Sequence, residues 1–239
     1  MAVWVLTGFM GCGKSSIGRT AVILSTNAAA GVIPVFAKKR LSQKSSGPLQ
    51  YIDLDEEIVQ RAGQSIPEIF ATDGEDAFRA IERDTLAQLL AAAGVPPGGR
   101  NTRGSIAGGP SRRDGGVSEA NSPRENDPLP QLLISLGGGT LLNEECREMV
   151  RKCCKCIYLR AKVETLAENL REVGIADRPM LTGVDPAAPA DSPNSLKSRI
   201  SEMMAIRGPI YEKAADIILD IDGLSYEDAA QQVLNSFSR

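Results

Sequence analysis

The chain contains no histidine. That excludes an imidazole general base, a histidine metal ligand and a Ser-His-Asp triad, and leaves acid–base work to carboxylates, lysines or water. Aromatic residues are scarce, at 4%. No apolar run approaches the roughly 20 residues of a membrane-spanning helix, so no membrane association is expected. An excess of positive charge is missing too. The 27 Lys and Arg stand against 30 Asp and Glu, a net charge of −3, which argues against a nucleic-acid partner. No signal or transit peptide is visible, because the first apolar strand begins at once. The expectation is a cytoplasmic protein, or one of a plastid or other organelle stroma if a leader has been removed. Cysteine is limited to Cys12, Cys146, Cys153, Cys154 and Cys156. The last three lack paired C-x-x-C spacing, so they are read as residues opening a buried strand over 154–159 rather than as a zinc site.

What is present begins at residue 8. Gly8-Phe9-Met10-Gly11-Cys12-Gly13-Lys14-Ser15 fits G-x-x-x-x-G-K-[ST], between the apolar run Val3-Trp4-Val5-Leu6 and a helical stretch from Ser15. Strand, glycine loop and helix in that order form a phosphate cradle. The glycines let the backbone N–H groups of Gly11, Cys12, Gly13 and their neighbours through Ser16 turn towards phosphate oxygens, and the helix N-terminus adds partial positive charge. Lys14 is the expected partner of the β- and γ-phosphates, and Ser15 a ligand of Mg²⁺.

Strand and helix patterns alternate along the remainder, which predicts an α/β fold with a parallel sheet covered on both faces. Strands are expected at 3–7, 50–53, 132–136, 157–159 and 217–221. Helices are expected at 15–21, 55–62, 66–70, 75–92, 143–151, 162–173, 195–214 and 225–237, with Asn143 and Ser225 as N-caps. Residues 22–48 and 94–130 do not fit a compact domain. The second stretch is rich in Gly, Pro, Ser and Arg and is expected to be disordered. The first is either an extended helix plus loop or an insertion replacing part of the first helix. The whole chain, 1–239, reads as one domain.

Further constellations follow the phosphate loop. Asp53 and Asp55 are read as two carboxylates on one face of a strand end, placed to serve metal-bound water and a substrate hydroxyl, or else as a solvated strand end with a helix-capping aspartate. Arg79 and Glu82 lie at i, i+3 on a helix. They form either a surface ion pair or an anion-binding arginine with its brace. Gly137, Gly138 and Gly139 let a backbone approach a small ligand. Arg178, in a Gly/Pro-rich stretch over about 174–195, suits a mobile lid that completes a phosphoryl-transfer site. Arg207-Gly-Pro-Ile-Tyr211 offers another arginine, at an expected helix break.

Seven motifs in this order resemble shikimate kinase. They are Gly8–Ser15, Asp53-Leu-Asp55, Ile69-Phe-Ala-Thr-Asp-Gly-Glu75, Phe78-Arg79-Ala-Ile-Glu82, Ser135-Leu-Gly-Gly-Gly139, Arg178-Pro-Met-Leu181 and Arg207-Gly-Pro-Ile-Tyr211. The resemblance implies a three-layer P-loop kinase fold of the nucleoside-monophosphate-kinase type. It carries a five-stranded parallel sheet flanked by helices, substrate-binding helices and a lid. It implies transfer of the ATP γ-phosphoryl group to the 3-hydroxyl of shikimate, in aromatic amino-acid biosynthesis, with Mg²⁺ as cofactor; a monomer is expected. Carried over by motif, Lys14, Asp55 and Arg178 are catalytic, with Asp55 orienting or deprotonating the attacking hydroxyl. Asp53 and Ser15 hold Mg²⁺, Asp53 through water. Asp55, Arg79, the three glycines and Arg207 bind shikimate, the arginines at its carboxylate. Arg171 stacks on adenine, Arg178 contacts the ATP phosphates, and Phe70, Phe78 and Glu82 line or brace the pocket. Two other readings stand beside this one: a gluconate-type small-molecule kinase of the same fold, and a non-catalytic relative that binds nucleotide or a partner.

Overall fold

The computed structural model describes residues 2–29, 49–95, 131–175, 178–181, 183, 192 and 195–237. Its centre is a sheet of five strands, β1 (Ala2–Thr7), β2 (Leu49–Asp53), β3 (Gln131–Ser135), β4 (Lys155–Arg160) and β5 (Ile217–Asp220). They lie in the order β2-β3-β1-β4-β5, every neighbouring pair parallel. Val3 to Thr7 of β1 and Leu132 to Ser135 of β3 are continuously buried, as strands covered on both faces must be. The edge strand β5 alternates between half-buried and exposed positions instead.

Among the described residues eight α-helices flank the sheet: α1 (Lys14–Ala29), α2 (Leu54–Ala62), α3 (Ile66–Thr72), α4 (Gly74–Ala92), α5 (Glu144–Cys153), α6 (Val163–Val173), α7 (Leu196–Ala214) and α8 (Tyr226–Ser236), with 3₁₀ turns at Thr140–Leu142 and Pro179–Leu181. Helix α1 packs against α8 and the strands β1 to β3, while α5 and α7 lie against β4 and against each other. Starts are fixed locally. Asn143 and Ser225 accept from the backbone N–H of Cys146 and Asp228, the expected caps. Ser65 and Glu68 form a reciprocal capping box on α3, with Pro67 in its first turn.

The fold class is therefore as expected, and four local expectations are corrected. Helix α1 does not stop near residue 21 but runs to Ala29, which favours the extended-helix alternative for the start of the 22–48 stretch. The first eight residues assigned to the 22–48 insertion continue the helix, so α1 packs on the sheet without interruption. Residues 30–48 and 96–130 lie outside the described residues, as does most of the expected lid over 174–195. Helix α7 does not break at Arg207–Tyr211; Pro209 sits inside it. The lost N–H and ring clash that normally end a helix are outweighed by the anchoring of that turn, where Arg207 and Tyr211 are buried. Of the cysteine cluster only Cys156 lies in a strand, since Cys153 ends α5 and Cys154 is its C-cap. Burial pushes the thiols of Cys146 and Cys156 up to about 12, so both are protonated at neutral pH. The fourth correction concerns Asp55 and belongs with the site.

Candidate active site

The C-terminal ends of the strands open on a cleft of about 350 Å³. It lies where the connections diverge, since β3 pairs on one side of β1 and β4 on the other. Ligands bind at such a switch point in open parallel sheets.

One end of the cleft is backbone. The loop leaving β1 turns through Gly11 at φ +83° and Gly13 at φ +81°, conformations that a side chain would strain. A Cβ on Gly11 would also strike the Leu170 side chain, and one on Gly13 the ring of Tyr226, each at 2.8 Å. Asn169 of α6 clamps the loop by donating to the carbonyl of Gly11 at 2.8 Å. The Lys14 ammonium donates to the carbonyls of Gly8 at 2.9 Å and Phe9 at 3.1 Å. Gly11, Gly13, Lys14, Ser15 and Ser16 line the cleft. Cys12 does not; it is buried beneath the loop, its sulfur 3.8 Å from Lys14 Nζ.

Asp53 stands between the two ends. It is the last residue of β2 and the N-cap of α2, its Oδ1 accepting from the backbone N–H of Asp55 at 3.1 Å. Its Oδ2 accepts from Ser15 Oγ at 2.5 Å and from the Tyr51 hydroxyl at 3.1 Å. The ring of Tyr51 seats against the Cα of Gly18 in α1, where any Cβ would collide with it. Ser15 and Asp53 thus present hard oxygen donors side by side at the mouth of the phosphate loop. That is the donor chemistry of Mg²⁺, which usually takes only one or two protein oxygens beside phosphates and water. Among the described residues no group of three His, Cys, Asp or Glu could form a protein-only cage.

Asp55 is not on the strand. Because Asp53 caps α2, Asp55 falls in the first turn of that helix, and the strand-face argument for pairing the two carboxylates does not hold. Both nevertheless line the cleft. Burial, then repulsion from Asp53 and Glu82, raises the Asp55 carboxyl to about 6, against the opposing pull of Lys14 and Arg178.

The other end of the cleft is side chain. Arg79 of α4 reaches Glu82 Oε2 with Nη1 at 2.8 Å and Glu75 Oε1 with Nη2 at 3.1 Å. Its pairing with Glu82 is not the surface ion pair of the simpler sequence reading, since Glu82 is fully buried. Gly137, Gly138 and Gly139 follow β3 and leave room for these groups. A Cβ on Gly137 would meet Asp55 Oδ1 at 2.7 Å and Glu82 Oε1 at 2.8 Å. One on Gly139 would strike the Arg79 guanidinium. The carbonyl of Gly138 accepts from Tyr211 and, at 3.3 Å, from Arg207 Nη1. The Arg207 guanidinium also lies 5.6 Å from the ring centroid of Phe9, joining α7 to the phosphate loop.

Phe70, Phe78 and Arg178 line the cleft. Arg171 is on the exposed surface in the last turn of α6 and is not among the lining residues. Tyr226 and Asn169, also in the lining, have no counterpart in the sequence reading. Both sit far along the chain from the loop they touch, and neither belongs to a local pattern.

A glycine-rich phosphate loop on a five-stranded parallel sheet, facing a carboxylate and arginine cluster across one cleft, defines a P-loop kinase. The shikimate kinase family model matches residues 39–95 and 124–238, more than half of the chain. The chain belongs to the shikimate kinase family. It is 30% identical to the shikimate kinase of Chlorobaculum parvum, over 98% of this chain and 91% of that protein. With that of Chlorobaculum tepidum it shares 32% identity over 95% of this chain and 88% of the other. Solved structures agree on the fold. Shikimate kinase from Acinetobacter baumannii, determined in complex with shikimate, superposes with a TM-score of 0.64 at 20% identity, covering 100% of this chain and 93% of that one. The enzyme from Bacteroides thetaiotaomicron gives 0.63 at 21% identity, covering 100% and 99%.

Proposed function

We propose that the chain transfers the γ-phosphoryl group of ATP to the 3-hydroxyl of shikimate. The observation that carries this reading is the meeting, in one cleft, of the Gly8–Ser15 loop with Asp55, Arg79 and Arg207. ATP phosphates take the loop and Lys14, and Arg178 adds charge opposite the transferring group. Mg²⁺, held by Ser15 and through water by Asp53, would neutralise phosphate charge when bound. Shikimate is a small anion with several hydroxyls. Arg79 and Arg207 bind its carboxylate, the backbone of Gly137 to Gly139 lies along it, and Asp55 takes the proton of the attacking hydroxyl. The absence of histidine is no obstacle, because phosphoryl transfer depends mainly on positioning and electrostatics. Adenine stacking by Arg171 requires that side chain to swing over the nucleotide from its exposed place on α6. A monomer in the cytoplasm completes the reading.

The test is ADP release by the purified protein with Mg-ATP, with shikimate, with gluconate and with neither. Release that depends on shikimate supports the proposal. Release with gluconate alone overturns the acceptor, and no release from a folded, ATP-binding protein favours the non-catalytic alternative.

A further inference from the structure

Thr140 follows the triple glycine and opens a 3₁₀ turn, Thr140–Leu142. It is fully buried, and so is Glu82, whose Oε1 accepts from Thr140 Oγ1 at 2.6 Å. The carbonyl of Gly137 lies 3.0 Å from the same hydroxyl. A hydroxyl has one proton, and a carboxylate is the stronger acceptor, so Glu82 receives it. The other oxygen, Glu82 Oε2, accepts from Arg79 Nη1 at 2.8 Å. Each oxygen of this buried carboxylate therefore has its own donor, one from α4 and one from the turn after β3.

The division matters because a carboxylate beside an arginine ordinarily engages it with both oxygens in a fork-to-fork pair. Here Thr140 holds one oxygen back. We infer that Thr140 is a positioning residue for acceptor recognition: by occupying Glu82 Oε1 it restricts Glu82 to a single contact with Arg79 and so fixes the guanidinium in the orientation that receives the acceptor carboxylate. The inference rests on the assignment of Arg79 to that carboxylate. Two neighbours sharpen it. The Arg79 guanidinium occupies the space that a Cβ on Gly139 would take, so Gly139 leaves room for it to turn and small rotations change what the cleft presents. Glu75, the other carboxylate on Arg79, has a side chain 49% exposed and can swing into solvent when an anion arrives. Glu82, whose side chain is 1% exposed, cannot. Without the Thr140 hydroxyl, Glu82 Oε1 is left buried and unpaired, and the carboxylate turns onto Arg79 to satisfy it.

The experiment compares Thr140→Val, which keeps the shape and removes the hydroxyl, with Thr140→Ser, which keeps the hydroxyl. Steady-state kinetics are measured in both substrates, with shikimate binding to the nucleotide-free protein as a second readout. T140V is expected to raise KM and Kd for shikimate about tenfold, with KM for ATP changed by less than about twofold. T140S is expected to stay within about threefold of the parent in both. An unchanged shikimate KM in T140V, an equal rise for both substrates, or a T140S as impaired as T140V overturns the inference. Should T140V fail to fold, Thr140→Cys replaces it. The thiol is a weak donor beside the serine hydroxyl, so equal shikimate affinity in T140C and T140S also overturns it. A parent protein without shikimate-dependent turnover defeats the proposed function itself. A fully active parent beside an unaffected T140V defeats only the role of Thr140.

Discussion

The two ends of the cleft are built on opposite plans. The phosphate end is eight consecutive residues, and its surface is main chain held open by glycines. The acceptor end is mostly side chain, gathered around three glycines from Asp55, 79–82, 137–140 and 207–211. An added atom breaks either end, since a Cβ on Gly11 or Gly13 meets Leu170 or Tyr226 and one on Gly137 or Gly139 meets Asp55, Glu82 or Arg79. Only the second also fails when a partner is removed, because its buried charges compensate one another. A local motif can encode the first. The second exists only after α2, α4, β3 and α7 have packed.

Substitutions that separate the two ends test this contrast. The largest effect is expected from Lys14→Ala, which should lower turnover by roughly a hundredfold to a thousandfold by removing a preorganised charge at the phosphates. The check is ADP release by a variant shown to fold by thermal melting; near-normal turnover would break the assignment. Arg79→Ala comes next. It should raise KM for shikimate by roughly ten- to a hundredfold, the usual cost of losing a charged hydrogen-bonded contact, and leave KM for ATP nearly unchanged. Equal effects on both substrates would erase the distinction between the ends.

Asp55 gives the third test, through pH. If it accepts the proton, kcat/KM should fall on the acid side of about 6, by about tenfold at one pH unit below. A profile flat down to pH 5 would remove Asp55 as the base. The same raised value has the opposite sense for stability. Between the usual aspartate value and about 6 the folded chain binds more protons than the unfolded chain, so this group's contribution to stability is lost as pH rises through that window. Asp55→Asn should therefore melt higher than the parent at pH 8 while turning over far more slowly. The smallest effect is expected from Tyr51→Phe. It removes one of the three donors on Asp53 and should raise the Mg²⁺ concentration for half-maximal activity by roughly threefold. Mn²⁺ binding to the ATP-loaded variant, followed by electron paramagnetic resonance, should weaken in parallel.

How much of this was readable before folding follows the same division. The phosphate loop, the five strands and most helix starts were legible, because glycine spacing, apolar runs and capping residues act within a few positions. That Asp53 would face the cleft was legible. Its use as a helix cap, which moves Asp55 off the strand, was the alternative reading of the same aspartate, and the structure combines it with a place in the cleft. The expected break at Gly208-Pro209 is what those two residues prefer locally, and buried Tyr211 overrides them. Thr140, Tyr51, Asn169 and Tyr226 gave no signal at all. Each matters through a partner that only the folded sheet brings near.

The five parallel strands also divide the molecule from top to bottom. All of them begin at the edge opposite the cleft. Helix α1 carries the chain about 24 Å away from Lys14, at 1.5 Å per residue over its 16 residues, before Leu49 enters β2 from that far edge. Helix α4 likewise leads from Arg79 and Glu82 towards Ala92, and Gln131 re-enters at the start of β3. Among the described residues, the chain ends Ala29, Leu49, Val95 and Gln131 thus lie towards the floor, while the cleft opens on the roof. Such a layout is modular. New termini from a circular permutation between Val95 and Gln131, or a reporter domain grafted after Ala29, would be joined a full helix length from the nearest reacting atom.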